Sequence, residues 1–403
     1  MLHRVPSRSA RGSALADYFG LERNVVAVAA AMFLLGFGEN LWKAFLPKYL
    51  EALGAPVVAI GLFGTVRDFV DGAYQYPGGW LADRWGRRRA LTLFVLLASI
   101  GYGIYALAPS WPFVFAGLLF SMAWVSMAQP TAFAVVGDAL PRARRAMGFT
   151  VQAILKRLPV LVAPTLGGLA IARFGVKDGV RLGLAAAIVF ALVTLAVISR
   201  VRVPVVREEV PIGIRGVWRA LPPPLKWLLL SDVFIRTCEG LVDVFLVLYA
   251  TNIAGVTAPQ FGALIAIQMA TSILVYVPAS KIADRAGRKP FVIATFLAFA
   301  AFPLAVVFAR SFAALAAAFV VGGLREVGEP ARKALIVDLA RPDIRARSIG
   351  LYYLVRSATI APAAFTGGLL WRIDPSVPFF AAFGVGLVGT ALFAVTVEER
   401  QAA

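Results

Sequence analysis

Histidine and cysteine are almost missing: the 403 residues hold one of each, His3 and Cys238. A lone cysteine excludes an internal disulfide framework. With a single histidine near the N-terminus, zinc, copper and haem sites have almost no ligands, and Ser–His or Cys–His catalytic pairs cannot be assembled. The reading is of a non-enzyme with no cofactor and no metal. No Gly-x-x-x-x-Gly-Lys-Ser/Thr run occurs, which removes ATP hydrolysis as an energy source. Charge is scarce as well. Asp, Glu, Lys and Arg make up 15% of the chain, and 22 acidic residues face 40 basic ones.

What fills the space is apolar. Hydrophobic residues reach 60% and the mean hydropathy is +0.79, more than one soluble core of this length could hide. Helices that face lipid need about 20 mostly apolar residues each, and the sequence supplies such runs repeatedly. They fall at 25–47, 58–80, 90–108, 112–137, 147–171 and 180–199, then at 227–250, 259–281, 290–308, 311–336, 348–371 and 377–396. The first run starts too late and lasts too long for a cleaved signal peptide, so it reads as a span.

The surplus of positive charge sits in short clusters between these runs, not on a soluble domain, which argues against nucleic acid as a partner. The clusters alternate by side. Arg4, Arg23, Arg84, Arg87, Arg88, Arg89, Arg142, Arg144 and Arg145 share one side with Arg200, Lys226, Lys281, Arg285, Arg288, Lys289, Arg341, Arg345 and Arg400. The opposite loops hold little beyond Lys48, Arg173, Lys177, Arg310 and Arg372. The positive-inside rule then puts both termini in the cytoplasm, in a bacterial or archaeal inner membrane. The expected layout is a tail at 1–24, a six-helix bundle at 25–199, a linker at 200–226, a second bundle at 227–397 and a tail at 398–403. Pro204, Pro211 and Pro222-Pro223-Pro224 should stiffen the linker around at most one short interfacial helix.

The sequence repeats itself at an offset of about 200 residues. Gly79-Trp-Leu-Ala-Asp83-Arg84-Trp-Gly86-Arg87-Arg88 returns as Ala279-Ser-Lys-Ile-Ala-Asp284-Arg285-Ala-Gly287-Arg288-Lys289. Glu39 answers to Glu239, Tyr49 to Tyr249, Asp138 to Asp338, and Gly167-Gly168 to Gly367-Gly368. Two parallel six-helix halves with a substrate held between them are one architecture that produces such a repeat.

These residues resemble the major facilitator superfamily, whose loop after the second span reads Gly-x-x-x-Asp-Arg/Lys-x-Gly-Arg-Arg/Lys. The first copy is complete here, and the second lacks only the leading glycine. The resemblance covers essentially the whole chain. It implies an all-α membrane protein of twelve helices in two pseudo-symmetric bundles, a monomer working by alternating access. It also implies that Gly79, Asp83, Arg84, Gly86, Arg87 and Arg88, with Asp284, Arg285, Gly287, Arg288 and Lys289, form a cytoplasmic latch. Asp138, Arg142, Arg145, Asp338 and Arg345 resemble the elements that join it. Ala163-Pro164-Thr-Leu-Gly167-Gly168 is similar to the end of the family's antiporter signature on span five. That favours export; small residues that let helices approach closely are the alternative reading.

Charges at bilayer depth are costly unless paired or hydrated, so each needs an account. Here they gather on spans one, two, five, seven, ten and eleven, which the resembled fold places around a central cavity; spans three, six, nine and twelve have essentially none. Candidates for proton coupling are Glu39, Asp68, Asp71, Glu239, Asp243, Glu326 and Glu329. Candidates for the substrate cavity are Lys43, Arg67, Trp124, Gln129, Lys156, Arg157, Arg236, Gln268, Arg325, Tyr352, Tyr353 and Arg356. Glu39–Lys43 and Arg67–Asp71, each four apart, are positioned to pair within one helix, while Asp232, Arg332 and Lys333 are expected near the boundary and solvated. The function expected is secondary transport of a small charged or amphiphilic organic solute, coupled to protons or sodium, with export preferred. An importer of an anionic or zwitterionic metabolite and a transporter-like sensor are the alternatives. Both an anion and a hydrophobic cation fit the charge inventory.

Overall fold

The computed structural model describes residues 23–128, 142–199, 214–340 and 345–397, and among them it is helical without a strand. The first half runs through α1 (Arg23–Asn40), α2 (Leu46–Ala52), α3 (Val57–Trp85), α4 (Arg87–Leu107), α5 (Trp111–Met122) and α6 (Arg142–Ile198). A short α7 (Ile214–Ala220) leads into the second half: α8 (Pro223–Val242), α9 (Leu246–Leu248), α10 (Ala258–Ala286), α11 (Lys289–Phe308) and α12 (Phe312–Leu324). The chain ends with α13 (Glu329–Leu339), α14 (Arg345–Ile360), α15 (Ala363–Trp371) and α16 (Val377–Thr396). Five stretches are long and apolar enough to cross a membrane: Arg87–Leu107, Arg157–Ile198, Ala258–Tyr276, Lys289–Phe308 and Val377–Thr396. The 42 residues of Arg157–Ile198 exceed a single crossing of about 20 residues, and Gly175, at φ +82°, turns the chain back within α6.

Local chemistry sets the helix ends. Thr257 caps α10 with a reciprocal capping box to Gln260, and Ser311 accepts from the Ala314 N–H at the start of α12. The two signature glycines act alike in both halves. Gly86 (φ +88°, ψ 140°) separates α3 from α4, and Gly287 (φ +94°, ψ 149°) follows α10. A residue with a Cβ is strained there, so the glycine is what permits the sharp reversal.

Several boundaries differ from the sequence expectation. The linker was expected to extend to Lys226, yet α8 begins at Pro223, because proline at a helix's first turn gives up an N–H that has no partner anyway. Span ten was expected to be continuous over 311–336, but it breaks between α12 and α13. There the Gly328 N–H turns aside to Thr295 Oγ1 (2.6 Å), and Pro330 restarts the helix. Span eleven breaks at Pro362. Spans one and seven both pass through a 3-10 turn at the same place in the repeat, Lys43–Phe45 and Asp243–Phe245.

The repeat extends into packing. Tyr49 donates to the Tyr105 carbonyl (2.8 Å) and Tyr249 to the Val307 carbonyl (3.4 Å), each tying the outer part of a half's first helix to its third span. Gly167 lies under the Leu41 carbonyl and Gly367 under the Leu241 carbonyl, where an added Cβ would stand 1.8 and 2.2 Å from the oxygen.

The end of the molecule opposite the basic loops joins the two halves. Cβ atoms built on Gly61, Gly168 and Gly262 would fall 2.5, 2.4 and 2.5 Å from the carbonyls of Ala364, Ala258 and Pro164 in the other half. Thr65 accepts from the Phe365 N–H (3.0 Å), and Phe45 stacks edge-on against Phe261. Asn252 takes a hydrogen bond from Lys48 and donates to Glu51 (2.7 Å), closing the tips of α2 and the segment after α9. Large apolar side chains such as Leu107, Leu274 and Val395 remain exposed, as helices that face hydrocarbon require.

Candidate transport site

Three chambers follow one another from the first half, across the interface, into the second. The largest, about 450 Å³, is lined by Glu39, Lys43, Arg67, Asp68, Asp71 and Asp243 among the aromatic faces of Trp42, Phe63, Tyr102 and Tyr105. A second, about 200 Å³, shares Arg67, Asp68, Asp71 and Asp243 with it and adds Arg236, Glu239, Arg356 and Ser357. A third, about 170 Å³, continues from Arg236 and Glu239 to Gln268, Ser272, Phe299, Arg325 and Glu326. Glu239, Arg325 and Arg356 therefore face a polar interior between the bundles, not hydrocarbon.

The first chamber is acidic. Among the described residues its four carboxylates face two cationic side chains. Lys43 donates to Glu39 (2.7 Å), as the spacing of four leads one to expect. Arg67 does not behave as expected. Instead of pairing with Asp71 along its own helix, it donates to Asp68 (3.0 Å) and, across the halves, to Asp243 (2.9 Å). A guanidinium can bridge two carboxylates on different helices at once, a geometry that an i,i+4 pair does not offer. Asp71 accepts from the Ser126 hydroxyl (2.6 Å). Two polar groups in the lining, Trp42 Nε1 and the Tyr102 hydroxyl, are buried with no hydrogen-bond partner. Tyr102 and Tyr105 come from α4, the third span. That span was expected outside the cavity because it carries no charge; its aromatic hydroxyls were the signal available in the sequence.

The second half holds a denser network. Arg332, 1% exposed, donates through Nη1 to Asp232 (2.7 Å) and through Nε and Nη2 to Glu329 (3.0 and 2.7 Å). Tyr352 (3.1 Å) and Arg356 (3.3 Å) also donate to Asp232. Arg236 reaches Glu239 (2.9 Å) and Glu329 (3.4 Å), and Arg325 reaches Glu239 (3.2 Å). The expectation that Asp232 and Arg332 are solvated at the boundary is thus wrong: they form the buried centre of the network, and only Lys333 is exposed. The stripe Asp232, Arg236, Glu239 and Asp243 on one helical face was the available signal. Arg325 lies over Phe299 and Phe302, and Arg356 over Tyr353. Cys238 is buried behind this cluster, its thiol directed to the Phe299 carbonyl (3.3 Å).

A second ion pair crosses the halves. Arg157 on α6 donates to Glu326 (2.8 Å) and stacks over Tyr276 on α10. Trp124, placed in the cavity by the sequence reading, is instead buried in the apolar core within a π-helical turn at Ala123–Met127. Lys156 falls on α6 beside Arg157. Gln129 lies outside the described residues.

Of the latch candidates, Arg288 bonds to Asp338, joining the turn after α10 to α13. Arg87 is buried at the start of α4, Arg84 lies over Trp80, Arg88 is exposed and Lys289 is half-buried. Gly79 and Asp83 fall on α3, Arg142 and Arg145 on α6, Asp284 and Arg285 on α10, and Arg345 on α14. Asp138 lies outside the described residues.

Apolar-sided helices and charged, polar chambers that run from one related bundle into the other define a multi-pass membrane transporter. The chain belongs to the Major Facilitator Superfamily: residues 28–237 and 228–403 each match that family, one match per half. It is similar to an uncharacterized MFS-type transporter, MJ1317, of Methanocaldococcus jannaschii, with 24% identity over 369 residues, 89% of this chain and 91% of that one. It also matches the multidrug resistance protein MdtG of Escherichia fergusonii, 25% identical over 251 residues, 59% of this chain and 60% of that one. Among solved structures, a point mutant of the nucleoside transporter NupG superposes with a TM-score of 0.77 at 12% identity, covering 93% of this chain and 100% of that one. A POT family transporter in complex with 5-aminolevulinic acid gives 0.73 at 16% identity, covering 93% and 96%. These two likenesses speak for the fold.

Proposed function

We propose that this protein exports amphiphilic organic cations from the cytoplasm in exchange for protons. The observation that carries this reading is the first chamber, where, among the described residues, four carboxylates against two cationic side chains lie among four aromatic rings. A lipophilic cation finds there both counter-charge and π faces. The unpartnered Trp42 Nε1 and Tyr102 hydroxyl would suit an acceptor atom on the ligand. The similarity to proteins named for multidrug resistance supports the same reading.

We assign the coupling proton to the group of Asp68, Asp71 and Asp243: Asp68 and Asp243 share the guanidinium of Arg67, and Asp71 beside them accepts from the Ser126 hydroxyl. Glu329, held by three nitrogens of two arginines, suits a structural role better. The basic end faces the cytoplasm by the positive-inside rule, which makes the glycine-packed end the outer gate, shut in this conformation.

The second half favours a second reading. Among the described residues four arginines, Arg236, Arg325, Arg332 and Arg356, interlock there with three carboxylates, Asp232, Glu239 and Glu329, which would suit the carboxylate of an anionic or zwitterionic solute. Purified protein in liposomes with an imposed pH gradient separates the two. Cationic dyes should accumulate against their gradient in the acidic lumen and be released by a protonophore, and Asp68→Asn should abolish that accumulation. Flux of dicarboxylates or peptides without flux of cations would overturn the cation reading. Cation flux indifferent to the protonophore would overturn proton coupling.

A further inference from the structure

The geometry points to Arg67 as a built-in competitor of the substrate: a cation entering the first chamber displaces its guanidinium from Asp243 and thereby breaks one ionic tie between the two halves. This inference rests on the cation reading above and names the residue that converts binding into movement.

Arg67 and Asp243 belong to different halves, on α3 and at the 3-10 turn after α8, and their 2.9 Å contact spans the floor shared by the first and second chambers. The other cation of the first chamber, Lys43, is engaged by Glu39 within its own half. The two carboxylates at the cross-half contact, Asp68 and Asp243, are both held by one guanidinium, so a cationic ligand that takes either of them competes with it. One cation replaces another, so the site need not expose bare carboxylates to an apolar surround in either state.

The displaced side chain has somewhere to go. Asp71 sits four residues on, one turn along the same helix, within the reach of an i,i+4 pair. The Ser126 hydroxyl is one of its partners, and an arginine can join or replace it as a stronger, charge-assisted donor. In the bound state Arg67 would pair along α3 with Asp71, and nothing would tie it to α8. The cross-half link is then carried by the ligand, which leaves when the chamber opens. Arg157–Glu326 remains as the second tie, so loosening starts on the Arg67 side of the interface.

The test uses the full-length protein in detergent and in liposomes with tetraphenylphosphonium, a monocation with no hydrogen-bonding atoms, so that charge competition alone is read. Removing the competitor in Arg67→Gln should tighten binding on the order of tenfold, as loss of a partly exposed bridge allows. Downhill exchange should persist while accumulation against a gradient fails. Asp71→Asn, which removes the landing site, should weaken binding in a protein whose cross-half bridge is intact, and Arg67→Lys should lie near wild type. If Arg67→Gln does not fold, the Asp71→Asn and Arg67→Lys pair decides alone. Unchanged or weaker binding in Arg67→Gln, or unchanged binding in Asp71→Asn, overturns the inference while leaving the cation reading standing. Absence of binding to the wild-type protein overturns both.

Discussion

Replacing Arg332 by methionine should be the most damaging single substitution in the second half. Asp232 is 0% exposed and Arg332 1% exposed, so the pair is out of reach of water. Breaking such a pair by removing one partner costs about 3–5 kcal/mol, because the charge left behind stays buried. Arg332→Met takes the closest cationic partner from two groups at once. Asp232 keeps Tyr352 and Arg356 at 3.1 and 3.3 Å, but Glu329 loses two bonds of 3.0 and 2.7 Å and retains Arg236 at 3.4 Å and Lys333 at 3.6 Å. The loss should therefore fall within that range, not below it. Asp232→Asn keeps Glu329 in place and should cost less, about 1–3 kcal/mol, the cost of weakened buried hydrogen bonds. The double variant Asp232→Asn with Arg332→Met removes opposite charges together, and its cost should be well below the sum of the two single changes. Reversible denaturation in mixed micelles measures all three. A loss below about 1 kcal/mol for Arg332→Met, the scale of an exposed pair, would refute the argument that this network is buried and interlocked.

Two further outcomes follow from backbone geometry. Gly262→Val places carbon where the Pro164 carbonyl now stands 2.5 Å from an ideal Cβ, so it should prise open the glycine-packed end. Thiol labelling at a cysteine introduced for Asn252 should then speed up, and equal labelling in both proteins would show that this end is not shut by close approach. Gly287→Ala forces a Cβ onto φ +94° and ψ 149°, which should cost about 1–3 kcal/mol. Gly86→Ala should match it in thermal unfolding, and a large difference between the two would contradict the equivalence of the turns.

The membrane-crossing character, the repeat and the charged interior helices were legible in the sequence, because charge is too costly in lipid to be scattered; the third span, which lines the first chamber with Tyr102 and Tyr105, was not. Glu39–Lys43 could be read directly, since helical spacing fixes that pair. Arg67 could not: its choice of Asp243 over Asp71 depends on how closely two helices from different halves approach. The depth of Asp232 was misread for a related reason. Its position along α8 says nothing of Tyr352, Arg356 and Arg332 closing over it from α14 and α13. Gly167-Gly168 was open to two readings, and both glycines lie against backbone carbonyls, with an added Cβ 1.8 Å from Leu41 O and 2.4 Å from Ala258 O. Close helix approach accounts for them without reference to the direction of transport.

The paired 3-10 turns at Lys43–Phe45 and Asp243–Phe245 divide each half's leading helix into an inner and an outer piece. A rod interrupted in this way does not carry bending from one piece to the other. The tips bearing Lys48 and Asn252 are thereby free to part while the ionic pieces below them keep their register. Jamming at the outer gate should then leave ligand exchange at mid-depth intact, and the two operations should respond to separate sets of substitutions.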